Sequence, residues 1–213
     1  MKGLPYGRQW ISEEDEEAVA RALRSEWLTQ GPEIEEFEAA LADFVGARYA
    51  VAVSSGTAAL HLACLALGLG PGDTAVTSPI TFVASANAAV YCGARPVFSD
   101  IDPNTACLDP AVLERQLLAG LRPKVVLPVH YAGLPCDMEG LSLLAGRYGF
   151  ALLEDACHAL GATQRVQGRR EKVGACGRSA AAVLSFHPVK HITTGEGGAV
   201  VTNDRHLADA VRR

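Results

Sequence analysis

Two side chains define the chemistry open to this sequence. Lys190 lies in Ser185-Phe-His-Pro-Val-Lys190, which continues as His191-Ile-Thr-Thr-Gly-Glu-Gly-Gly198, and Asp155 lies upstream in Leu152-Leu-Glu-Asp155-Ala-Cys-His158. A third element is Val53-Ser-Ser-Gly56-Thr-Ala58, a run of small and hydroxyl residues between an apolar stretch and a helical one. There, backbone amides at a helix start can approach an oxyanion, and the hydroxyls of Ser55 and Thr57 add donors. Ser185 offers another hydroxyl at the end of an apolar run. Phe82, in Ser78-Pro-Ile-Thr-Phe-Val-Ala-Ser85, offers an aromatic face. An amine that captures an aldehyde, a carboxylate that holds a proton on a ring nitrogen and a cradle for a phosphate are the three things pyridoxal phosphate needs.

Each part has a plainer reading when taken alone. A Ser/Gly/Thr turn is commonly an ordinary helix cap, and a carboxylate at a strand end can be a cap or a metal ligand. His158 reads as a hydrogen-bonded structural histidine, Phe82 as a core residue, and a loop lysine as a solvated charge. Lys190 stands apart because it falls between two apolar runs, beside the hydroxyl of Ser185, in a segment whose Pro188 and glycines suit turns rather than a helix. No cluster has metal-ligand spacing, so no metal is expected.

The elements that must position these residues follow from periodicity. Ser12 followed by Glu13, Glu14 and Asp15 reads as the capped, acidic start of a helix with Ala18, Val19, Ala22 and Leu23 at helical spacing, ending near Ser25. Gly31-Pro32 opens a second helix whose stripe is Ile34, Phe37, Leu41 and Phe44, and which Gly46 stops. From residue 49 on, short apolar runs alternate with helical stretches. Strands are expected over 49–53, 74–77, 96–99, 124–129, 150–154, 182–185 and 199–202. Continuous apolarity within each run implies strands buried on both faces, hence an α/β fold with a mostly parallel central sheet flanked by helices. The division expected is an N-terminal arm and helix over 1–30 and one large domain over 31–213. Asn203-Asp204 caps a last helix that Arg213 cuts short, so the natural protein is expected to continue.

Composition bounds the partners. The chain has 213 residues, 49% of them hydrophobic, which is enough for a substantial core. A net charge of -5 with scattered lysines and arginines excludes a basic stripe and argues against nucleic acid. The six cysteines are far apart with no C-x-x-C pair and read as reduced, intracellular thiols. The N-terminus lacks the apolar core of a signal peptide and no apolar run reaches membrane-spanning length, so a cytoplasmic protein with no membrane partner is expected.

In this order (Ser/Gly/Thr turn, aromatic, Asp, Ser, Lys), the segments resemble the fold-type-I pyridoxal phosphate enzymes. Within that class the chain is similar to the nucleotide-sugar aminotransferases of the DegT/DnrJ type. The resemblance rests on Leu28-Thr-Gln-Gly-Pro32, Ser54-Ser-Gly-Thr-Ala-Ala-Leu60, Thr81-Phe-Val-Ala-Ser-Ala-Asn87, Pro128-Val-His-Tyr-Ala-Gly133, Glu154-Asp-Ala-Cys-His-Ala159 and Ser185-Phe-His-Pro-Val-Lys190, and runs from about Gly7 to Arg213.

The resemblance implies that Lys190 carries the Schiff base and shuttles the proton, Asp155 holds the pyridinium, and Phe82 stacks on the ring. It also implies that His158 contacts the 3-hydroxyl side and that Ser55, Gly56, Thr57 and Ser185 hold the phosphate. It further implies the large domain of that fold, truncated before a small C-terminal domain, and an active site shared in a homodimer. The reaction implied is amination of a nucleotide-linked 4-keto-6-deoxy sugar by L-glutamate, for surface-glycan amino sugars. The wording around Lys190 is most similar to the subgroup that aminates UDP-4-keto-6-deoxy-N-acetylhexosamine for pseudaminic acid. The alternatives are amination of a UDP-4-keto-pentose or another keto-sugar, a pyridoxamine-phosphate-dependent sugar dehydratase, and a non-catalytic fragment. The dehydratases carry His in place of the lysine, so Lys190 argues against them. His191 departs from the small or hydroxylated residue expected after that lysine.

Overall fold

The computed structural model describes residues 7–166 and 168–213, so the first six residues of the expected arm lie outside the described residues. Helix α1 (Glu13–Arg24) starts on a reciprocal cap, in which Ser12 Oγ accepts the Asp15 N–H at 3.3 Å and Asp15 Oδ2 accepts the Ser12 N–H at 2.8 Å. None of its side chains is buried, and the expected stripe residues Val19 and Leu23 face solvent. Helix α2 (Pro32–Val45) ends at Gly46, whose φ of 84° is the left-handed conformation that closes helices. Its buried face is Leu41, Ala42 and Val45, rotated from the expected stripe, and Ile34 and Phe44 stay exposed. Phe37 meets Phe186 edge-on, the ring centroids 5.3 Å apart.

The strands are β1 (Tyr49–Val53), β2 (Thr74–Thr77), β3 (Arg95–Phe98), β4 (Val125–Leu127), β5 (Ala151–Asp155), β6 (Thr163–Val166), β7 (Arg169–Lys172), β8 (Ala181–Ser185) and β9 (Gly198–Thr202). Seven form one sheet in the order β1-β9-β8-β5-β4-β2-β3, and β6 and β7 form a separate antiparallel hairpin. All seven expected strands are present within one or two residues, except that β4 is shorter, with only an isolated bridge from Val129 to Asp155 beyond it.

The sheet is parallel except at β9, which runs antiparallel to both β8 and β1 and pairs Val200 with Val183 and with Val51. The connection explains the reversal. The segment between β8 and β9 turns straight back, Phe186 N–H donating to Gly197 O at 2.9 Å, whereas a parallel return needs a long crossover.

Alternate residues of each strand feed opposite layers. Val51, Val125, Leu127, Val183 and Val200 pack under α3 (Gly56–Ala66), α4 (Ala84–Tyr91) and α7 (Arg205–Arg212), through Leu60, Ala63, Ala88 and Leu207. On the other side, Ala50, Ala182, Leu184 and Val201 meet α2, while Val76, Val126 and Leu152 meet α5 (Pro110–Leu118) and α6 (Met138–Tyr148). All six cysteines are free thiols. Among the described residues, no helix is long and apolar enough to cross a membrane.

Candidate active site

The parallel strands end on one edge of the sheet, where open α/β sheets hold ligands. A cavity of about 580 Å³ opens there, within the range of small-molecule sites. Every residue singled out in the sequence lines it: Ser55, Gly56, Thr57, Phe82, Asp155, His158, Ser185 and Lys190.

Asp155 closes β5 and is only 5% exposed. Its Oδ2 accepts the Ser85 hydroxyl at 2.6 Å and its Oδ1 the Cys157 N–H at 3.2 Å. Its backbone is stitched to the next strand end, N–H to Pro128 O at 2.9 Å and carbonyl to His130 N–H at 3.1 Å. The carboxylate is therefore held at a fixed place and orientation. Glu154, its neighbour in sequence, points to the opposite face because side chains alternate along a strand. Buried there, Glu154 Oε2 lies 2.8 Å from His130 Nε2, and Oε1 accepts the Ser179 hydroxyl. His130 Nδ1 accepts the Cys136 N–H at 3.1 Å, which assigns the ring proton to Nε2. The two carboxylates thus separate: one faces the cavity and one braces the strand.

The start of α3 forms another wall of the cavity. Ser55 is its N-cap, with Oγ accepting the Ala58 N–H at 3.1 Å, so the plain cap reading is realised and the hydroxyl keeps its own proton to give. The first-turn amides point outward without intrahelical partners, as at any helix start. The walls approach closely: a Cβ on Gly56 would lie 2.9 Å from Ser185 Cβ and 3.2 Å from Cys157 Sγ. Only glycine lets the β8 hydroxyl and the α3 start converge on the same space.

Lys190 sits half-buried on the loop leaving β8, its N–H donating to His187 O at 2.9 Å. The loop is tied back by Thr193 Oγ1, which donates to Phe186 O at 2.9 Å and accepts the Gly195 N–H at 3.0 Å. Phe82 lies in the turn just ahead of α4, 68% exposed at the cavity wall, so it is no core residue. His158 is half-buried and its pKa is lowered, by burial first and then by the Lys190 charge, against the pull of Asp155. Burial, reinforced by the Asp155 charge, pushes the Cys157 thiol well up, so this cavity cysteine is protonated and no nucleophile.

Sequence reading missed Ser85, Thr81, Cys157 and Glu196. The last three line the cavity. Ser85 follows Phe82 by one helical turn, and that spacing was the signal that could have found it. Among the described residues no cluster could hold a metal ion, and the donor set is instead that of an organic phosphate cofactor. An amine, a fixed carboxylate, an open aromatic face and a glycine-walled helix start around one cavity fit pyridoxal phosphate.

Comparisons with known proteins point to the same cofactor. The chain is 44% identical over 209 residues to the spore coat polysaccharide biosynthesis protein SpsC of Bacillus subtilis (strain 168), covering 98% of this chain and 52% of SpsC. Its structure superposes on Helicobacter pylori PseC, an aminotransferase involved in pseudoaminic acid biosynthesis, with a TM-score of 0.89 at 37% identity, over 99% of this chain and 55% of that one. Spr1654 of Streptococcus pneumoniae in its PLP form gives a TM-score of 0.86 at 28% identity, over 98% and 57%. The chain thus spans about half the length of the relatives it matches. Residues 9–213 match one family along nearly their whole length, and the chain belongs to the DegT/DnrJ/EryC1/StrS aminotransferase family.

Proposed function

We propose that this chain is the pyridoxal-phosphate-binding part of a nucleotide-sugar aminotransferase that moves an amino group from L-glutamate to a 4-keto-6-deoxy sugar nucleotide. UDP-4-keto-6-deoxy-N-acetylhexosamine is the favoured acceptor, on a pseudaminic acid or similar surface-glycan route. The observation that carries the reading is the convergence of Lys190, the fixed Asp155 carboxylate and the α3 start on one cavity. In this assignment residues 31–213 are the cofactor-binding large domain, preceded by an arm over 1–30. The active form is a cytoplasmic homodimer whose partner helps close the site, in keeping with the apolar side chains left exposed at Phe82, on the cavity wall, and at its neighbour Val83.

When bound, pyridoxal phosphate supplies an electron sink for the pair left on the donor carbon. The chain's residues do the rest. Lys190 would supply the amine that anchors the aldehyde and, as a free amine, a base able to carry the proton of the donor carbon. Asp155 keeps a proton on the ring nitrogen, which makes the ring a strong sink. The α3 amides with Ser55, Thr57 and Ser185 would hold the phosphate, and Phe82 would offer its ring to the cofactor. His158, held neutral, can donate to or accept from the 3-oxygen.

The test is turnover of the 213-residue chain and of a longer natural form, with L-glutamate and a UDP-4-keto-6-deoxy-N-acetylhexosamine. Formation of 2-oxoglutarate with a 4-amino sugar nucleotide is expected from the longer form. Elimination of a ring hydroxyl without amine transfer would instead identify a dehydratase.

A further inference from the structure

Behind Asp155 lies a chain of hydroxyls that the proposed chemistry does not itself call for. Ser85 is 1% exposed in the first turn of α4, its Oγ 2.6 Å from Asp155 Oδ2, 2.7 Å from Thr81 Oγ1 and 3.3 Å from Phe82 O. An ionised carboxylate only accepts, so the single Ser85 proton goes to Asp155. Thr81 must then give its proton to Ser85, and the order Thr81 to Ser85 to Asp155 is set. The short final contact is a charge-assisted bond, the strong kind. With the Cys157 N–H on Oδ1, it pins the carboxylate from both oxygens.

We propose that Ser85, backed by Thr81, is a positioning residue that sets the orientation of Asp155 toward a bound ring nitrogen. This rests on the pyridoxal phosphate reading above. Ser85 does not line the cavity and acts only through its neighbours.

The test uses the 213-residue chain with two probes, pyridoxal phosphate and its 1-deaza analogue, in which carbon replaces the ring nitrogen. Ser85→Ala is expected to weaken pyridoxal phosphate binding about tenfold or more, as loss of a hydrogen bond to a charged group does, and to leave deaza-analogue affinity unchanged. Thr81→Val, which keeps shape and removes the hydroxyl, should shift affinity in the same direction by a smaller factor, and Ser85→Thr should restore binding. Should Ser85→Ala fail to fold, Thr81→Val with the two probes decides the matter. Equal weakening of both probes would mean a merely structural serine and overturn the proposal, as would unchanged pyridoxal phosphate affinity. Failure of the unaltered chain to bind pyridoxal phosphate would instead sink the cofactor reading.

Discussion

Gly198 on β9 lies against the backbone of Ser55 at the start of α3, so close that a Cβ at 198 would overlap the Ser55 carbonyl and stand 2.6 Å from Gly56 N. Backbone atoms cannot yield as a flexible side chain can. Gly198→Ala should therefore cost about 1–3 kcal/mol by overpacking and displace the Ser55–Thr57 turn, where the phosphate is proposed to bind. Urea unfolding and pyridoxal phosphate titration read the two effects, and a variant unchanged in both would show that this contact is not tight.

Lys190→Ala should abolish covalent attachment of the cofactor and, with its proton transfers gone, lower any transamination by at least about 10²–10⁴-fold. Borohydride trapping followed by peptide mapping checks the assignment. A trapped adduct on another lysine of the variant would place the anchoring amine elsewhere.

Asp155→Asn preserves size but not charge. Attachment of the cofactor to Lys190 should persist while turnover falls, roughly 10²–10³-fold as when a preorganised electrostatic contact is lost. Single-turnover kinetics separate the two, and near wild-type rates would remove Asp155 from the chemistry.

His158 should titrate below the ordinary 6.5, since burial and then the Lys190 charge both favour the neutral ring. A histidine depressed in this way binds its proton less tightly folded than unfolded. Its contribution to stability is present above the unfolded value and fades as pH falls below 6.5 through the folded one. In NMR titrations Lys190→Ala should move the midpoint upward by removing a like charge. A midpoint above 6.5 in the unaltered chain would contradict the arrangement.

Much of this was legible from residue order. Strands buried on both faces leave unbroken apolar runs, and seven such runs became the seven-stranded sheet. Lys190, Asp155 and the Ser55–Thr57 turn could be named because their chemistry is unusual at a strand end or a turn. The direction of β9 could not, because Gly198-Ala-Val-Val-Thr202 states burial and says nothing of polarity along the strand. Hairpin β6–β7 is charged and polar, Thr-Gln-Arg facing Arg-Glu-Lys, and lacks the alternation that marks a half-buried strand. Ser85 hid in a run of small residues, and the His130–Glu154 pair spans 24 residues, beyond any local pattern. The α1 stripe was real as a helix signal, but among the described residues nothing buries it.

The placement of β9 also dictates how the chain can be assembled. Strand β1 is made early, yet among the described residues its only sheet neighbour is β9, with Tyr49 paired to Thr202. A ribosome must finish every other strand before β1 can gain a single ladder bond. Throughout that interval its apolar edge is unpaired, the situation in which chains self-associate. Pairings so distant in sequence close slowly. Late emergence of five residues, Gly198–Thr202, therefore sets when strand β1 can dock into the sheet.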